Sequence, residues 1–447
     1  MRRHIEPVRC NALFYGRRAA RATKDDARGV GARAAVCVVV TVFDSSSRHT
    51  APRAPPSTPR RARARRSTPT LAFGAFVAMT TRADVEAAAL KAMVDTRACV
   101  PRDVPRLAAP PSALAFATEY LAKNMPFVCA HATDDWRAHA AWSSVDKVAE
   151  RARASGSSVI RVNVAPHGRG DAAVYYTGTR VVGLDDDVDV VFDGGDDGGG
   201  GEGTWLFVEP RAVDVDVDDF LRSLENGVAV DERIPHYRAY ASMQNDNLRT
   251  DPALRAMYEE DVGEAPAFAT EAFAGAQPDA VNLWIGNDGS QTAYHKDYYV
   301  NFYTVVTGVK IFTLRPPCDY AMMRYTPCVP AKFEIVDDEP KPRWRVRCAS
   351  LAEPRVSWSV VDVDSHNHPV YESGEERMTY AAFAGTSPPP AYEVEVRAGE
   401  TLYLPSMWFH RVRQRGFTVA VNHWYDMHFG DRFASANFMR EVCESIE

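Results

Sequence analysis

Alternation of apolar and polar residues predicts a series of short strands from residue 280 onward. Residues 280–286 (AVNLWIG) form an apolar segment with Val, Ile and Trp, which is typical of a buried strand. Residues 301–306 and 309–314 predict two further strands, joined by a tight turn at Thr307-Gly308. Many short strands separated by turn residues favour a mainly β domain of the jelly-roll type.

The pattern continues towards the C-terminus. Residues 401–404 predict a strand that Pro405 ends. Residues 410–414 alternate, Gly416 predicts a turn, and residues 417–425 predict a strand that returns. Amphipathic segments predict helices before and after the strands, at residues 83–94, 114–123, 145–154 and 431–446.

A histidine and an aspartate stand where a metal could be chelated. Residues 292–297 are TAYHKD, so His295 and Asp297 are two positions apart and point to the same face of a strand. Two imidazoles and one carboxylate on one face of a ferrous ion leave positions open for a co-substrate and dioxygen. The pair alone is common, and the alternative interpretation is a polar pair at a strand end.

Lys310 is the next candidate, because it shares its strand face with Phe312 and Leu314. A buried ammonium is costly unless it is paired, and a bound dicarboxylate would pair it. The alternative is a lysine whose apolar stem lies on the sheet rim while its head reaches water.

His410 is the candidate third ligand, since it follows the short strand 401–404 and begins another. The competing pair His366 and His368 lies in a polar stretch near Pro369, where no rigid sheet is predicted. A metal site needs positioned ligands, which favours His410.

Taken together, these motifs resemble the JmjC-domain oxygenases. The resemblance is carried by residues 293–317 and 397–427, is supported by residues 124–136 and 240–248, and covers the chain from about 115 to 438. It is most similar to the subgroup described as bifunctional peptidase and (3S)-lysyl hydroxylase. The resemblance implies a double-stranded β-helix, a form of jelly roll, with N-terminal helices and a C-terminal helix that contributes to a homodimer. Packing of that helix on its own barrel is the alternative.

The resemblance also implies roles for individual residues. His295, Asp297 and His410 match the iron ligands, and Lys310 and Thr292 match the partners of the distal carboxylate of 2-oxoglutarate. Tyr240 and Asn422 match further pocket residues. The implied cofactor and co-substrates are Fe(II), 2-oxoglutarate and dioxygen.

The implied reaction is hydroxylation of a lysyl residue at C3, in a GTP-binding protein of the developmentally regulated class, with release of succinate and CO2. Three alternatives stay open: a JmjC histone-lysine demethylase, a divalent-metal peptidase that acts on histone tails, and a non-catalytic cupin-like binding protein.

Charge separates the chain into two parts. Residues 1–78 hold 16 Lys and Arg against 4 Asp and Glu, whereas the remainder holds 36 against 55. The acidic remainder argues against a nucleic-acid-binding core and suits a basic polypeptide substrate. The apolar run 34–43 is too short to span a membrane.

We therefore predict a disordered basic extension at 1–80, a helical and mixed region at 81–240, the double-stranded β-helix at 241–430 and a helix at 431–447. Within the second region, the acidic, glycine-rich stretch 184–203 is predicted to be a loop insertion. The extension also has the composition of an organellar transit peptide, and a start at Met79 is a third interpretation. We expect a cytoplasmic or nuclear protein, or a chloroplast or mitochondrial one if the extension is a transit peptide. Eight cysteines without regular spacing predict free thiols.

Overall fold

A computed structural model describes residues 82–156, 158–185, 188–194, 203–227, 229–234, 236–337, 341–361 and 390–444. These residues belong to one compact unit. The predictions for the basic extension and for His366 and His368 fall outside the described residues.

Eighteen strands occur in the described part of the chain: β1 Arg106–Leu107, β2 Phe127–Ala130, β3 Val159–Pro166, β4 Arg169–Gly170, β5 Ala172–Tyr176, β6 Asp189–Phe192, β7 Thr204–Glu209, β8 Arg211–Asp216, β9 Tyr237–Tyr240, β10 Ala280–Gly286, β11 Gln291–His295, β12 Tyr299–Arg315, β13 Tyr325–Val336, β14 Arg343–Cys348, β15 Val356–Ser359, β16 Tyr392–Arg397, β17 Glu400–Leu404 and β18 Phe409–Asp426.

The helices of the same residues are α1 Arg82–Cys99, α2 Ala113–Ala115, α3 Ala138–Ala141, α4 Val145–Ala154, α5 Val217–Asn226, α6 Asn247–Thr250, α7 Pro252–Asp261, α8 Ala267–Ala272 and α9 Asp431–Glu444. A π-helical segment, Phe116–Leu121, continues α2, and a 3-10 segment, Pro317–Met323, follows β12.

The prediction of a mainly β, jelly-roll fold with helices at both ends is confirmed. Among the described residues, nine strands form the main sheet in the order β1-β2-β17-β12-β18-β11-β4, with β10 also on β18 and β16 also on β12. Three of them, β1, β2 and β4, precede residue 241, so the N-terminal region supplies strands to the sheet that holds the barrel residues.

The two predicted hairpins are wrong. Residues 299–315 form the single strand β12 and residues 409–426 the single strand β18, and the two pair antiparallel along their whole length. At Thr307-Gly308 the register shifts, which is a bulge, and not a turn. Gly308 has a φ of 77°, and a side chain there would collide with the carbonyl oxygen of Phe417 on the facing strand. The residues that suggested turns therefore bend two long strands together.

Part of the predicted acidic loop is also a strand. Within residues 184–203, β6 pairs in parallel with β14. This places it at the edge of a second sheet of six strands, β5-β7-β13-β14-β6 with β15 on β13. Of its four residues Phe192 is buried and Val191 is exposed, and the surrounding aspartates and glycines conceal this short apolar segment. The other part of this stretch that the structure describes is not helical or extended.

The helices follow their local signals closely. Ser144 caps α4, and its side chain accepts a hydrogen bond from the Lys147 N–H. Its apolar positions at i, i+3 and i+4 (Val145, Val148 and Ala149) are buried against the core. At the other end, α9 packs on its own chain, because the Tyr320 hydroxyl donates to Glu444 at 2.9 Å. No helix of the described residues is long and apolar enough to span a membrane.

Six of the eight cysteines lie in the described part of the chain, and all six are free thiols. Burial raises the pKa of Cys129 and of Cys328 to about 12, so these thiols are inert structural residues.

Candidate metal and co-substrate site

Two adjacent strands and the loop that follows one of them bring three metal-ligating side chains together. His295 ends β11 and lies directly opposite His410 on β18, with ring centroids 4.1 Å apart. Asp297 follows two residues after His295, and its carboxylate lies 3.5 Å from Nε2 of His410 and 3.9 Å from Nε2 of His295. The donor atoms of all three residues lie within 4.8 Å of one another.

Backbone carbonyls fix both imidazoles in the orientation that a metal needs. Nδ1–H of His295 donates to the carbonyl of Ala293 at 2.8 Å, and Nδ1–H of His410 donates to that of Trp408 at 3.0 Å. A carbonyl oxygen only accepts, so each Nδ1 carries the proton and each Nε2 keeps its lone pair free. This second layer of hydrogen bonds is the usual way in which proteins orient metal-binding histidines.

Burial and neighbouring groups favour the metal-binding protonation states of His295 and Asp297. Burial and the neighbouring His410 lower the pKa of His295 to about 4. Burial raises the pKa of Asp297, but its neighbours His410, His295 and Lys296 lower it by more, so the pKa lies below its ordinary value. A neutral imidazole and an ionised carboxylate are the forms that bind cations.

Lys310 lies on the same face of the sheet as His410. It pairs across the strands with Gln414, and Leu314 pairs with His410 four residues away. An even number of residues along each strand keeps these side chains on one face. Lys310 is fully buried and donates to the Tyr240 hydroxyl at 3.0 Å and to the Gln414 side-chain carbonyl.

The surroundings of Lys310 suit an anionic ligand. Burial lowers the pKa of Lys310 well below its ordinary value, and no carboxylate of the described residues forms an ion pair with it. Thr292 lies on β11. Its hydroxyl is buried and has no hydrogen-bond partner among the described residues. A carboxylate beside both groups would accept hydrogen bonds from each and offset the cost of burying the ammonium.

The remaining predicted pocket residues lie in different settings. Tyr240 contacts Lys310 directly. Asn422 is fully buried, accepts from the Trp284 indole N–H at 3.0 Å and donates to Asn301 at 3.2 Å. It reaches the pocket through Trp284, whose ring centroid is 5.9 Å from that of Tyr240. The structure thus brings His295, Asp297 and His410 together and Tyr240 to Lys310, and it shows Asn422 in contact with Trp284 and Asn301.

Comparisons with known proteins agree with this geometry. A cupin-like domain family matches residues 112–431. The chain is 34% identical over 345 residues to "Lysine-specific demethylase JMJ32" of Arabidopsis thaliana, covering 76% of this chain and 86% of the relative. It is 30% identical over 342 residues to the human "Bifunctional peptidase and (3S)-lysyl hydroxylase JMJD7", covering 75% and 88%. A JmjC domain-containing protein E of Dictyostelium discoideum is 27% identical over 356 residues, covering 76% and 89%.

The chain belongs to the cupin-like JmjC family. JmjC proteins are 2-oxoglutarate-dependent oxygenases, and the family depends on Fe(II). The donor set fits that ion, because imidazole nitrogens and a carboxylate on one side of a site are the ligands of non-haem Fe(II). Thr292 and Lys310 fit the co-substrate, since one offers an unpartnered buried hydroxyl and the other a buried ammonium.

Two residues of this JmjC site escaped the sequence analysis. Gln414 accepts a hydrogen bond from Lys310 and donates to the Ser290 carbonyl at 3.3 Å. The alternation of side chains along a strand could have identified Gln414, because it is four residues from His410 and therefore on the same face. Trp358 on β15 lies parallel to His295, with ring centroids 6.4 Å apart. No local pattern in the sequence predicts this position for Trp358. It lies on a strand of the second sheet, in a part of the sequence where the hydrophobic periodicity is weak.

Proposed function

We propose that this protein is an Fe(II)- and 2-oxoglutarate-dependent hydroxylase that modifies C3 of a lysyl residue in a protein substrate. The observation that carries the proposal is the convergence of His295, Asp297 and His410 on one face of the sheet that also holds Lys310. A metal ligand set and an anchor for a dicarboxylate on one face are the two parts that such a reaction requires.

The residues of the chain would act as holders and orienters. His295, Asp297 and His410 would hold iron through Nε2, a carboxylate oxygen and Nε2. Lys310, Thr292 and Tyr240 would hold the distal carboxylate of 2-oxoglutarate, and Gln414 would keep the Lys310 ammonium in place. When bound, iron and 2-oxoglutarate supply oxidising chemistry that activates dioxygen, releases succinate and CO2, and inserts one oxygen atom into a C–H bond.

The proposed substrate is a GTP-binding protein of the developmentally regulated class. The name of the human relative includes lysyl hydroxylase, which supports a lysyl target. The acidic part of the chain after residue 78, with 36 basic against 55 acidic residues, suits a basic polypeptide.

Lysine demethylation is the second candidate, and the name of the Arabidopsis relative supports it. The same ligand set would serve both reactions. They differ in the carbon that is oxidised: C3 of the lysyl chain in one case, and an N-methyl group, which then leaves, in the other.

Mass spectrometry separates the two. The full chain is incubated with Fe(II), 2-oxoglutarate and a recombinant GTP-binding protein of the proposed class, and in parallel with a methyl-lysine histone peptide. We expect one added oxygen on a lysyl residue of the GTP-binding protein, matched by succinate formation, and neither product with the His295→Ala variant.

Each other outcome contradicts the proposal in its own way. Loss of a methyl group from the histone peptide, with no oxygen gained by the GTP-binding protein, would make the protein a demethylase. Peptide cleavage that does not need 2-oxoglutarate would make it a peptidase. Absence of any substrate-dependent succinate formation would favour a non-catalytic binding protein.

A further inference from the structure

A second group of two histidines and one aspartate lies away from the site described above. His167 follows β3, His236 precedes β9, and Asp185 lies in the acidic stretch before β6. The potential donor atoms of these three residues also lie within 4.8 Å of one another. In sequence they are 18 and 51 residues apart, so no local motif announces them.

The distances suit a small divalent cation. The imidazole rings of His167 and His236 stack with centroids 4.2 Å apart and an angle of 22° between their planes. The Asp185 carboxylate lies 3.3 Å from Nε2 of His236. Donors about 2.0–2.2 Å from a tetrahedral zinc ion are about 3.3 Å from one another. Because stacked rings direct their in-plane lone pairs nearly parallel, the imidazoles would rotate out of the stack as the ion binds.

The backbone holds the two histidines together at some conformational cost. Both residues have a positive φ, 55° at His167 and 52° at His236. The backbone N–H of His167 donates to the carbonyl of His236 at 3.0 Å, which joins the two turns. Non-glycine residues in this conformation are uncommon. Two of them in contact with each other are typical of a functional site.

Charge around the cluster favours a ligand set that contains a carboxylate. Burial and the neighbouring His236 lower the pKa of His167, and Asp185 opposes them. The guanidinium groups of Arg169 and Arg238 also act on His167 and would repel a cation. The Asp185 carboxylate lies among the potential metal ligands. Its negative charge opposes the positive charges of the two guanidinium groups. A site with two imidazoles selects zinc over the oxygen-preferring ions Ca²⁺ and Mg²⁺.

We propose that His167, Asp185 and His236 bind a zinc ion at the protein surface, with water at the fourth position. The ion would join the turn between β3 and β4 to the residue before β9 and to the start of the acidic stretch. Zinc sites with three protein ligands and water at the fourth position are well known. This proposal does not depend on the iron site or on the proposed reaction.

The position of the site connects it to the co-substrate pocket. Gly168 joins His167 to β4, which pairs in parallel with Gln291 and Thr292 of β11. A cleft is lined both by Gly168 and Arg238, which are next in the chain or two residues from the histidines of the cluster, and by Tyr240 and Thr292. A zinc ion would therefore fix two segments, β4 and β9, that hold the wall of this cleft.

Zinc stoichiometry tests the proposal. The untagged full chain is dialysed against Zn²⁺ at neutral pH, and bound metal is measured by mass spectrometry of the digested protein. We expect His167→Asn and His236→Asn to lower the bound zinc by one ion per chain relative to wild type. Asparagine tolerates a positive φ, so these variants remove the imidazole and keep the turn.

His131→Asn is the matched control. His131 also has a positive φ, 63°, and also lies beside a carboxylate, Asp134, at 2.9 Å, but it belongs to neither three-residue group of the described residues. This variant should bind as much zinc as wild type. His295→Ala should also lose one ion, and the double variant His295→Ala/His167→Asn should lose two.

The proposal is overturned if His167→Asn and His236→Asn bind as much zinc as wild type while remaining folded by circular dichroism. It is also overturned if only His295→Ala lowers the stoichiometry, since all specific zinc would then lie at the iron site. If either histidine variant unfolds, Asp185→Asn, a change at a half-exposed side chain, decides the question: weaker zinc binding supports the site and unchanged binding rejects it.

Discussion

The two histidine–aspartate groups share their ligand chemistry and differ in how the fold holds them. At the proposed iron site the side chains of His295, Asp297 and His410 are 17%, 12% and 6% exposed, and at the surface cluster those of His236 and Asp185 are 47% and 39% exposed. Two strands in fixed register carry the histidines of the first group, whereas turns carry those of the second.

Orientation differs as much as burial. At the proposed iron site each Nδ1–H donates to a carbonyl two residues earlier in the chain, which leaves Nε2 directed at the metal position. At the surface cluster the rings are oriented by stacking on each other. A catalytic ion needs ligands that do not move during the reaction, and a structural ion can draw its ligands together as it binds. The same three residue types therefore suit different tasks.

The largest expected contrast is in turnover. Succinate formation that depends on substrate should fall to background in Asp297→Ala, because this variant removes the charged ligand of the iron site. It should be largely retained in His236→Asn, which alters only the surface cluster. Turnover by Asp297→Ala at the wild-type level would refute the ligand assignment, and its loss in His236→Asn would erase the distinction between the two sites.

The next largest effect should follow removal of the buried ammonium. Lys310→Met keeps most of the side-chain volume but loses charge-assisted hydrogen bonds worth about 1.5–3 kcal/mol. The KM for 2-oxoglutarate should therefore rise about 10- to 100-fold, while iron binding, measured by metal analysis, stays close to wild type. His167→Asn serves as the comparison, and an unchanged KM in Lys310→Met would remove this lysine from the pocket.

Acid should destabilise the metal-free protein through its buried histidines. Burial lowers the pKa of His295 to about 4 and that of His423 to about 3, from an ordinary value of 6.5. Below pH 6.5 the unfolded chain binds protons that the folded protein does not bind, so the free energy of unfolding falls as the pH decreases towards 4. Each such histidine contributes up to about 1.4 kcal/mol per pH unit.

His423→Leu tests this separately from either metal group, because both ring nitrogens of His423 are buried and lack a hydrogen-bond partner among the described residues. Urea unfolding from about pH 7 to about pH 5 should show a shallower loss of stability in this variant than in wild type. The exposed substitution His131→Asn is the control. Equal slopes for His423→Leu and wild type would show that folding does not lower the pKa of His423.

The smallest effect is expected at the surface cluster without metal. Asp185→Asn should change the free energy of unfolding by no more than about 0.5 kcal/mol, because half-exposed ion pairs contribute little. With zinc at about 100 times its Kd, wild type should gain about 2.7 kcal/mol that the variant lacks. A loss above about 1 kcal/mol in metal-free Asp185→Asn would instead indicate a carboxylate that supports the fold itself.

Local signals predicted much of the site, since His295 and Asp297 are close in sequence and Lys310 stands out on an apolar strand face. They did not predict Gln414, Trp358 or the surface cluster. Gln414 binds Lys310 only because the two residues face each other on paired strands. Trp358 lies beside His295 because a strand of the second sheet places it there. The partners of these residues are 104 and 63 positions away in sequence, where periodicity carries no information.

The amino-acid sequence alone determined several elements: β10, β17 and α4 agree with their hydrophobic pattern, because burial of one face requires that pattern. Tertiary structure decided what the turn residues do. Gly308 and Gly416 both have a positive φ, which glycine allows in a hairpin turn and in a bend alike. Pairing of β12 with β18 over their full length buries both strands and satisfies their backbone hydrogen bonds, and this long-range gain selects the bend.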